Sequence, residues 1–268
     1  MGKPTILPVV SVHSSPVTSY PNRVKFSLLI FSVFTGISIS HSVLAQDAPE
    51  RRRRHYGSQG RAYYRGPVRF TVGGGAAYYS GDLGSSLSEN LLGGSFNLGI
   101  LYLIRPRLVL GSEFTYFQLG AKDQLPERGL AFRSRNVSGT TFLRFELLRD
   151  ESQYASPKRA AALVKPYVKA GGGLLLYNPK AYLGTERPTE RTMFLDPERN
   201  DYPALAVVAP VGLGVVVRLT PKLNATLEGT YYFTTTDHLD DISRRANPGE
   251  NDGYGLAELK LEYAPWGR

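Results

Sequence analysis

The stretch Leu205–Thr236, LAVVAPVGLGVVVRLTPKLNATLEGTYYFTTT, leaves this chain little choice of fold, because it reads as two long alternating segments joined by one tight turn. On the first arm Val211, Leu213, Val215, Val217 and Leu219 share one face, while Gly212, Gly214, Val216 and Arg218 share the other. After the turn, Leu223, Ala225, Leu227, Gly229, Tyr231 and Phe233 alternate with Asn224, Thr226, Glu228, Thr230 and Tyr232. A period of two belongs to strands and excludes helix. Each arm runs to roughly ten residues or more, longer than the usual five or six of a soluble sheet and close to the 9–11 tilted residues that cross a bilayer.

The rest of the chain repeats the pattern. Val68–Tyr79 alternates Val68, Phe70 and Val72 with Arg69 and Thr71, and about Gly94–Ile104 sets Phe96, Leu98, Ile100 and Tyr102 against Ser95, Asn97 and Gly99. In Arg107–Leu119 the apolar set is Leu108, Leu110, Phe114 and Tyr116, opposed by Gly111, Glu113 and Thr115. About Phe132–Leu148 ends with Leu143, Phe145 and Leu147 opposite Arg144 and Glu146, and Pro166–Tyr177 sets Val168, Ala170, Leu174 and Leu176 against Lys169, Gly171 and Gly173. In Tyr254–Tyr263, Ala257, Leu259, Leu261 and Tyr263 oppose Glu258, Lys260 and Glu262. Including the hairpin, eight strands are expected. The connections after the second and sixth are short and contain proline, and that after the fourth is moderate. Those after the first, third, fifth and seventh are mostly longer and charged, Asn178–Pro203 the longest. Short turns at one end, long loops at the other and an even strand number are the marks of an outer-membrane barrel. The fold class read from the sequence is therefore all-β, an eight-stranded antiparallel up-and-down transmembrane β-barrel over residues 68–268.

A soluble lipocalin-type barrel points its apolar face inward, and a membrane barrel points it outward. Here the charged face carries Arg69, Arg144, Lys169, Arg218 and Lys260 against Glu113, Glu146, Glu228, Glu258 and Glu262, five bases and five acids. Such balance suits an interior narrow enough to be filled by side chains, where charges are tolerated only in pairs. Tyr78, Tyr102, Tyr116, Tyr177 and Tyr231, near strand ends, are expected to form interfacial girdles. The glycine runs Gly73–Gly75 and Gly171–Gly173 sit inside strands with no Gly-Lys-Ser/Thr after them, so they are read as relief of crowding rather than as phosphate loops.

Upstream of the barrel, Arg23 and Lys25 precede the apolar run FSLLIFSVFTGISI, and Val43-Leu44-Ala45 supplies small-residue cleavage chemistry. Residues 1–45 are read as a secretory signal peptide cleaved near Ala45, with 1–21 lying upstream of a later true start codon. The expected location is the outer membrane of a Gram-negative bacterium. The chain has no cysteine, so an exported protein of this sequence has no disulfide or thiolate–metal chemistry. Its formal charge of +9 is a property of the N-terminal segments. Removing the nine basic and two acidic residues of 1–67 from the chain's 32 and 23 leaves 23 and 21, so the barrel is only +2. Residues 46–67, with RRRRHYGSQGRAYYRG, are expected to be a disordered basic tail in the periplasm, where anionic head groups or a protein partner, and not nucleic acid, would meet it.

Five fragments carry a resemblance to a family: YYSGDL at 78–83, RGLAFRS at 128–134, KPYVKAGGGLLLYNPKA at 165–181, APVGLGV at 209–215 and TDHLDDIS at 236–243. In their order and spacing they resemble the outer-membrane β-barrel proteins of Bacteroidota with a domain of unknown function, DUF6089. Some relatives in that family are linked to the type IX secretion apparatus as outer-membrane accessory proteins, and the resemblance implies such a role as one option. His238 stands where the family's loop motif leads one to expect tyrosine.

The search for a catalytic or metal site turns on the loop Asp237–Ser243. After the leader only His55 and His238 remain, and His238 lies among Asp237, Asp240, Asp241 and Ser243. A His–acid–Ser set or a cation site would use those residue types. However, they are consecutive on one loop and match no EF-hand spacing. The sequence is thus read as having no catalytic, cofactor or metal residues, and as a non-enzymatic structural or interaction protein. Its expected partners are outer-membrane lipid and a periplasmic or secretion-apparatus protein. An outer-membrane lipid-modifying enzyme and a lipocalin-like periplasmic ligand binder are the alternatives.

Overall fold

The computed structural model describes residues 54–66, 68–81, 89–123, 129–184, 186–197, 199–242 and 251–265. The expected leader, the Ala45 cleavage point, Arg51–Arg53 and Ser243 lie outside the described residues. A small hairpin, β1 (His55–Tyr56) and β2 (Ala62–Tyr63), precedes eight long strands. These are β3 (Val68–Ser80), β4 (Gly93–Arg105), β5 (Leu108–Lys122), β6 (Leu130–Glu146), β7 (Val164–Leu183), β8 (Ala204–Arg218), β9 (Leu223–Thr234) and β10 (Gly253–Tyr263). They close into a barrel in the order β10-β3-β4-β5-β6-β7-β8-β9, every pair antiparallel. Among the described residues no helix is long and apolar enough to cross a membrane.

Register follows from the alternation. Val215 faces Leu227 across β8 and β9, and Leu227 faces Leu259 across β9 and β10, so the three apolar side chains share one surface. One residue on, Glu228 faces Glu258 on the opposite surface. Phe70, Leu98, Phe114, Leu143, Val168, Leu213, Leu227 and Leu259 are exposed on the outer wall, whereas Glu113, Arg144, Lys169, Glu228, Glu258, Lys260 and Glu262 are buried. This is the reverse of a soluble barrel. A wall of exposed leucine, valine and phenylalanine around a charged interior is stable only where lipid replaces water outside.

One end holds the turns 106–107, 147–163 and 219–222, together with the start of β3 and the end of β10. The other carries the connections 81–92, 123–129, 184–203 and 235–252. The strand ends differ from the sequence reading mainly in β7, which continues through Asn178–Leu183, the start of the expected longest loop. The segment Asn178–Leu183 keeps its ladder with Arg135–Leu130 of β6 after β8 has ended at the Ala204–Tyr177 pair. Pro179 is accommodated because that stretch is an edge, where a missing N–H need not break a second ladder.

Residues 54–66 depart from the disordered tail expected over 46–67. They fold as the β1–β2 hairpin, closed by the Gly57 N–H donating to the Arg61 carbonyl at 3.0 Å. The hairpin docks on the turn 147–163. Tyr63 bridges Tyr154, the Ala155 N–H donates to the Ala62 carbonyl at 3.0 Å, and the Tyr64 N–H to that of Gln153 at 3.2 Å. Arg61 forks onto Glu151 at 2.7 and 3.2 Å with its guanidinium 4.1 Å from the centre of the Tyr154 ring. A segment of like charge is disordered when nothing neutralises it; here Arg61, downstream of the four-arginine run, finds both a carboxylate and an aromatic face.

Tyr177 is a second correction. Expected in an interfacial girdle, it points into the barrel, fully buried, and shares a 2.9 Å hydrogen bond with the Thr236 hydroxyl. Period two puts it in phase with Lys169, not with Leu176. Tyr102 and Tyr116 are exposed on the outer wall, and half-buried Tyr78 and Tyr231 lean over Gly255 and Gly253 of β10.

Candidate functional site

Three features distinguish the molecule: a charged interior, a closed mouth at the long-loop end, and a basic face at the short-turn end.

The interior network has two parts. In the first, Lys260 Nζ lies 2.8 Å from Glu113, 2.7 Å from Glu228 and 3.3 Å from Glu258, and Lys169 Nζ lies 2.6 Å from Glu228 and 3.4 Å from Glu113. In the second, nearer the short turns, Arg144 meets Glu262 at 2.6 Å and Glu146 at 3.1 Å, and Lys165 meets Glu146 at 3.3 Å and Asp150 at 3.4 Å. Tyr167 joins them, donating to Glu228 at 2.5 Å with the Arg144 guanidinium over its ring at 4.6 Å. Room for this comes from inward glycines. A Cβ at Gly73 would stand 2.6 Å from Lys260 Cγ, and one at Gly171 only 2.7 Å from the Phe142 Cβ. Such a lumen is filled with paired side chains. The sequence reading placed the five acids here correctly but missed Lys165 and Asp150. Lys165 precedes the expected strand start at Pro166, and Asp150 comes from a turn. Arg218, expected inside, sits half-exposed at the rim.

Toward the long loops the lining turns apolar. Phe117, Phe132, Tyr79, Tyr177, Tyr232 and Tyr254 form one buried cluster, with Phe117 and Tyr232 stacked on Tyr254 at 4.6 and 4.5 Å. Leu239 and Ile242, the only apolar residues of the sequence-flagged loop, insert into this cluster at 0% exposure. Apolar residues three apart in an otherwise acidic loop were the available signal for a plug. The loop's acids turn inward as well, with Asp240 and Asp241 buried and the Tyr202 hydroxyl donating to Asp241 at 2.8 Å. Asp241 adopts a left-handed φ of 60°, which aspartate tolerates better than most residues.

His238 is half-buried, and its backbone N–H donates to the Thr236 hydroxyl at 3.2 Å. The imidazole lies near Asp201, whose carboxyl is held below the ordinary range first by its hydrogen bond from Arg199 and least by the charge of His238. Among the described residues no group of three or more histidine, aspartate or glutamate side chains is disposed to hold a metal ion.

The short-turn face is basic. Arg54, Arg65, Arg105, Arg149, Lys158, Arg159 and Lys222 are exposed there. The two acids of the turn 147–163 are both engaged, Asp150 by Lys165 and Glu151 by Arg61, and residues 54–66, 106–107 and 219–222 contain no acid. The hydrogen bond from Arg61 holds the Glu151 carboxyl below the usual carboxylate range.

Among solved structures, the Neisserial surface protein A matches with 16% identity and a TM-score of 0.43 over 75% of this chain and 98% of its own. Ail of Yersinia pestis, in complex with the heparin analogue sucrose octasulfate, matches with 14% identity and a TM-score of 0.40 over 73% and 96%. The outer membrane enzyme PagL matches with 14% identity and a TM-score of 0.35 over 73% and 98%. No protein-family model and no curated protein matches the chain.

Proposed function

We propose that this chain is a non-enzymatic outer-membrane barrel protein of a Gram-negative bacterium that works as an interaction protein, with its basic short-turn face turned to the periplasm to receive an acidic partner. The observation that carries this is the charge separation at that end: among the described residues seven exposed cations remain after its two turn acids have been paired. Two of them, Arg54 and Arg65, flank the docked hairpin and five lie on the turns and strand end beside it, and complementary fields raise association rate and specificity. Kinship with the Bacteroidota barrels of the DUF6089 family, and a place beside the type IX secretion apparatus, belong to the same proposal and rest on the five fragments that resemble that family.

The competing readings have less behind them. A ligand carrier of lipocalin type needs an open apolar cavity, whereas this lumen is packed with ion pairs and its apolar upper part is closed by Leu239 and Ile242. A lipid-modifying enzyme needs a placed base, and His238 is the chain's only histidine after His55. The test is affinity purification from detergent-solubilised outer membrane, comparing the natural chain with Arg149→Glu/Lys158→Glu/Arg159→Glu. A co-purifying periplasmic or membrane protein lost in the triple variant, and released by salt, supports the proposal; identical recovery with both chains refutes it.

A further inference from the structure

The connection 235–252 does more than link β9 to β10. Its residues 236–242 dip into the barrel mouth, Leu239 and Ile242 seal the aromatic cluster, and polar groups seat them. The Leu239 N–H donates to Asp252 Oδ2 at 2.9 Å, and the Ile242 N–H to Asp240 Oδ1 at 2.9 Å. Between the two carboxyl groups stands the Tyr79 phenol of β3, which contacts Asp240 Oδ2 at 2.9 Å and also Asp252 Oδ1. All three side chains are buried.

Proton counting decides the state of this seat. A phenol has one proton, a carboxylate has none, and two oxygen–oxygen contacts need two. The second proton therefore sits on a carboxyl. Asp252 is assigned as its carrier because its contact with the phenol is the shorter of the two, as a shared proton requires. The titratable groups facing Asp252 are Tyr79 from β3 and Asp240 and Asp237 from the plug. Asp241 with Tyr202, and His238 with Asp201 and Arg199, lie further around the mouth. Burial, and after it the charge of Asp240, pushes the Asp252 carboxyl up to about 8, although the Tyr79 and Leu239 hydrogen bonds act in the opposite direction.

We propose that the mouth is closed by a proton-latched plug, in which the Asp252 carboxyl donates to the Tyr79 oxygen, Tyr79 donates to the Asp240 carboxylate, and loss of the Asp252 proton releases residues 236–242. With that proton gone, two buried carboxylates meet across the single Tyr79 proton, beside the Leu239 and Ile242 N–H groups that each already accepts, and their repulsion is relieved when the loop lifts into water. Lifting exposes the apolar chamber lined by Phe117, Tyr232 and Tyr254. The barrel is thus closed toward acidic surroundings and opens toward alkaline ones.

The sign follows from linkage. The closed state holds the Asp252 proton more tightly than the open state, where the carboxyl returns to its ordinary value of 3.8. Closure is fully favoured below that value and falls by up to about tenfold per pH unit until the closed-state value near 8, then levels off.

Hydrogen exchange of peptides covering 236–242, corrected for intrinsic base catalysis and referenced to β9 amides of the same sample, reads this directly in the refolded full chain. Protection in the natural chain should drop at least tenfold between pH 5.5 and 8.5. Asp252→Asn, whose amide donates to Tyr79 at any pH, should stay protected throughout, and Tyr79→Phe should be unprotected even at pH 5.5. Flat protection in the natural chain overturns the latch, as does an Asp252→Asn variant that follows the natural chain's profile. Should either variant fail to fold, the profile of the natural chain alone decides.

Discussion

Lys260→Met would put the sealed interior to its hardest test. Lys260 is buried and its ammonium serves three carboxylates, those of Glu113, Glu228 and Glu258, at 2.7 to 3.3 Å. Methionine keeps the length and loses the charge. Among the described residues Glu228 would retain Lys169, Tyr167 and Thr230, Glu113 the 3.4 Å contact with Lys169, and Glu258 the 2.9 Å hydroxyl of Ser95. Removing one partner of a buried pair costs about 3–5 kcal/mol, because a charge is left uncompensated away from water. With three acids affected, the expected loss is at the upper end, about 5 kcal/mol. With urea slopes of about 1–3 kcal/mol/M, the unfolding midpoint in detergent or vesicles should fall by more than about 1 M, followed by circular dichroism or by heat-modifiable electrophoretic mobility. Glu113→Gln added to Lys260→Met restores the balance of charge and should recover about 1–3 kcal/mol of the loss, since the two residues touch and their effects do not add. A Lys260→Met midpoint equal to that of the natural chain would mean that water reaches the network, and the account of a filled lumen would fail.

Three further outcomes follow from the structure. Epitope tags placed in 184–203 or 235–252 should be reached by antibody on intact cells; labelling only after permeabilisation of the outer membrane would invert the orientation. The hairpin 54–66 should resist protease at neutral pH and become cleavable in acid. The Arg61 hydrogen bond depresses the Glu151 carboxyl, so its contribution is present above the ordinary carboxylate value and is lost as pH falls through the lowered one. Arg61→Ala should be cleaved at neutral pH as well, and equal resistance would refute the docking. His238→Ala should leave folding and partner recovery unchanged, whereas loss of a measurable hydrolytic or acyl-transfer activity on outer-membrane lipid would replace the interaction reading with an enzyme.

The wall of the barrel was legible because period two repeats over eight segments, and register in a two-faced sheet is fixed by which face is apolar. Leu227 and Glu228, adjacent in the chain, could go only to opposite sides. The lumen was legible in residue type but not in partners: nothing local tells Lys260 that its acids are Glu113 on β5 and Glu228 on β9, since barrel closure creates those distances. Tyr177 was misplaced because proximity to a strand end was given more weight than phase. The docked hairpin was missed because Arg61 owes its order to Glu151, a residue that sequence distance separates and folding brings to 2.7 Å. The plug was flagged for its aspartates, yet Leu239 and Ile242 anchor it, and their burial depends on an aromatic chamber assembled from six strands.

The central claim is that the leucine-rich face meets lipid and the charged face meets only itself. Spin labels at Leu213→Cys, Leu227→Cys and Leu259→Cys, in a chain with no native cysteine to interfere, measure this in reconstituted vesicles by comparing relaxation from dissolved oxygen with relaxation from a water-soluble nickel chelate. High oxygen access with negligible nickel access at all three positions is the predicted result; nickel access equal to that of a label at exposed Thr235 would show a water-facing wall and contradict the account.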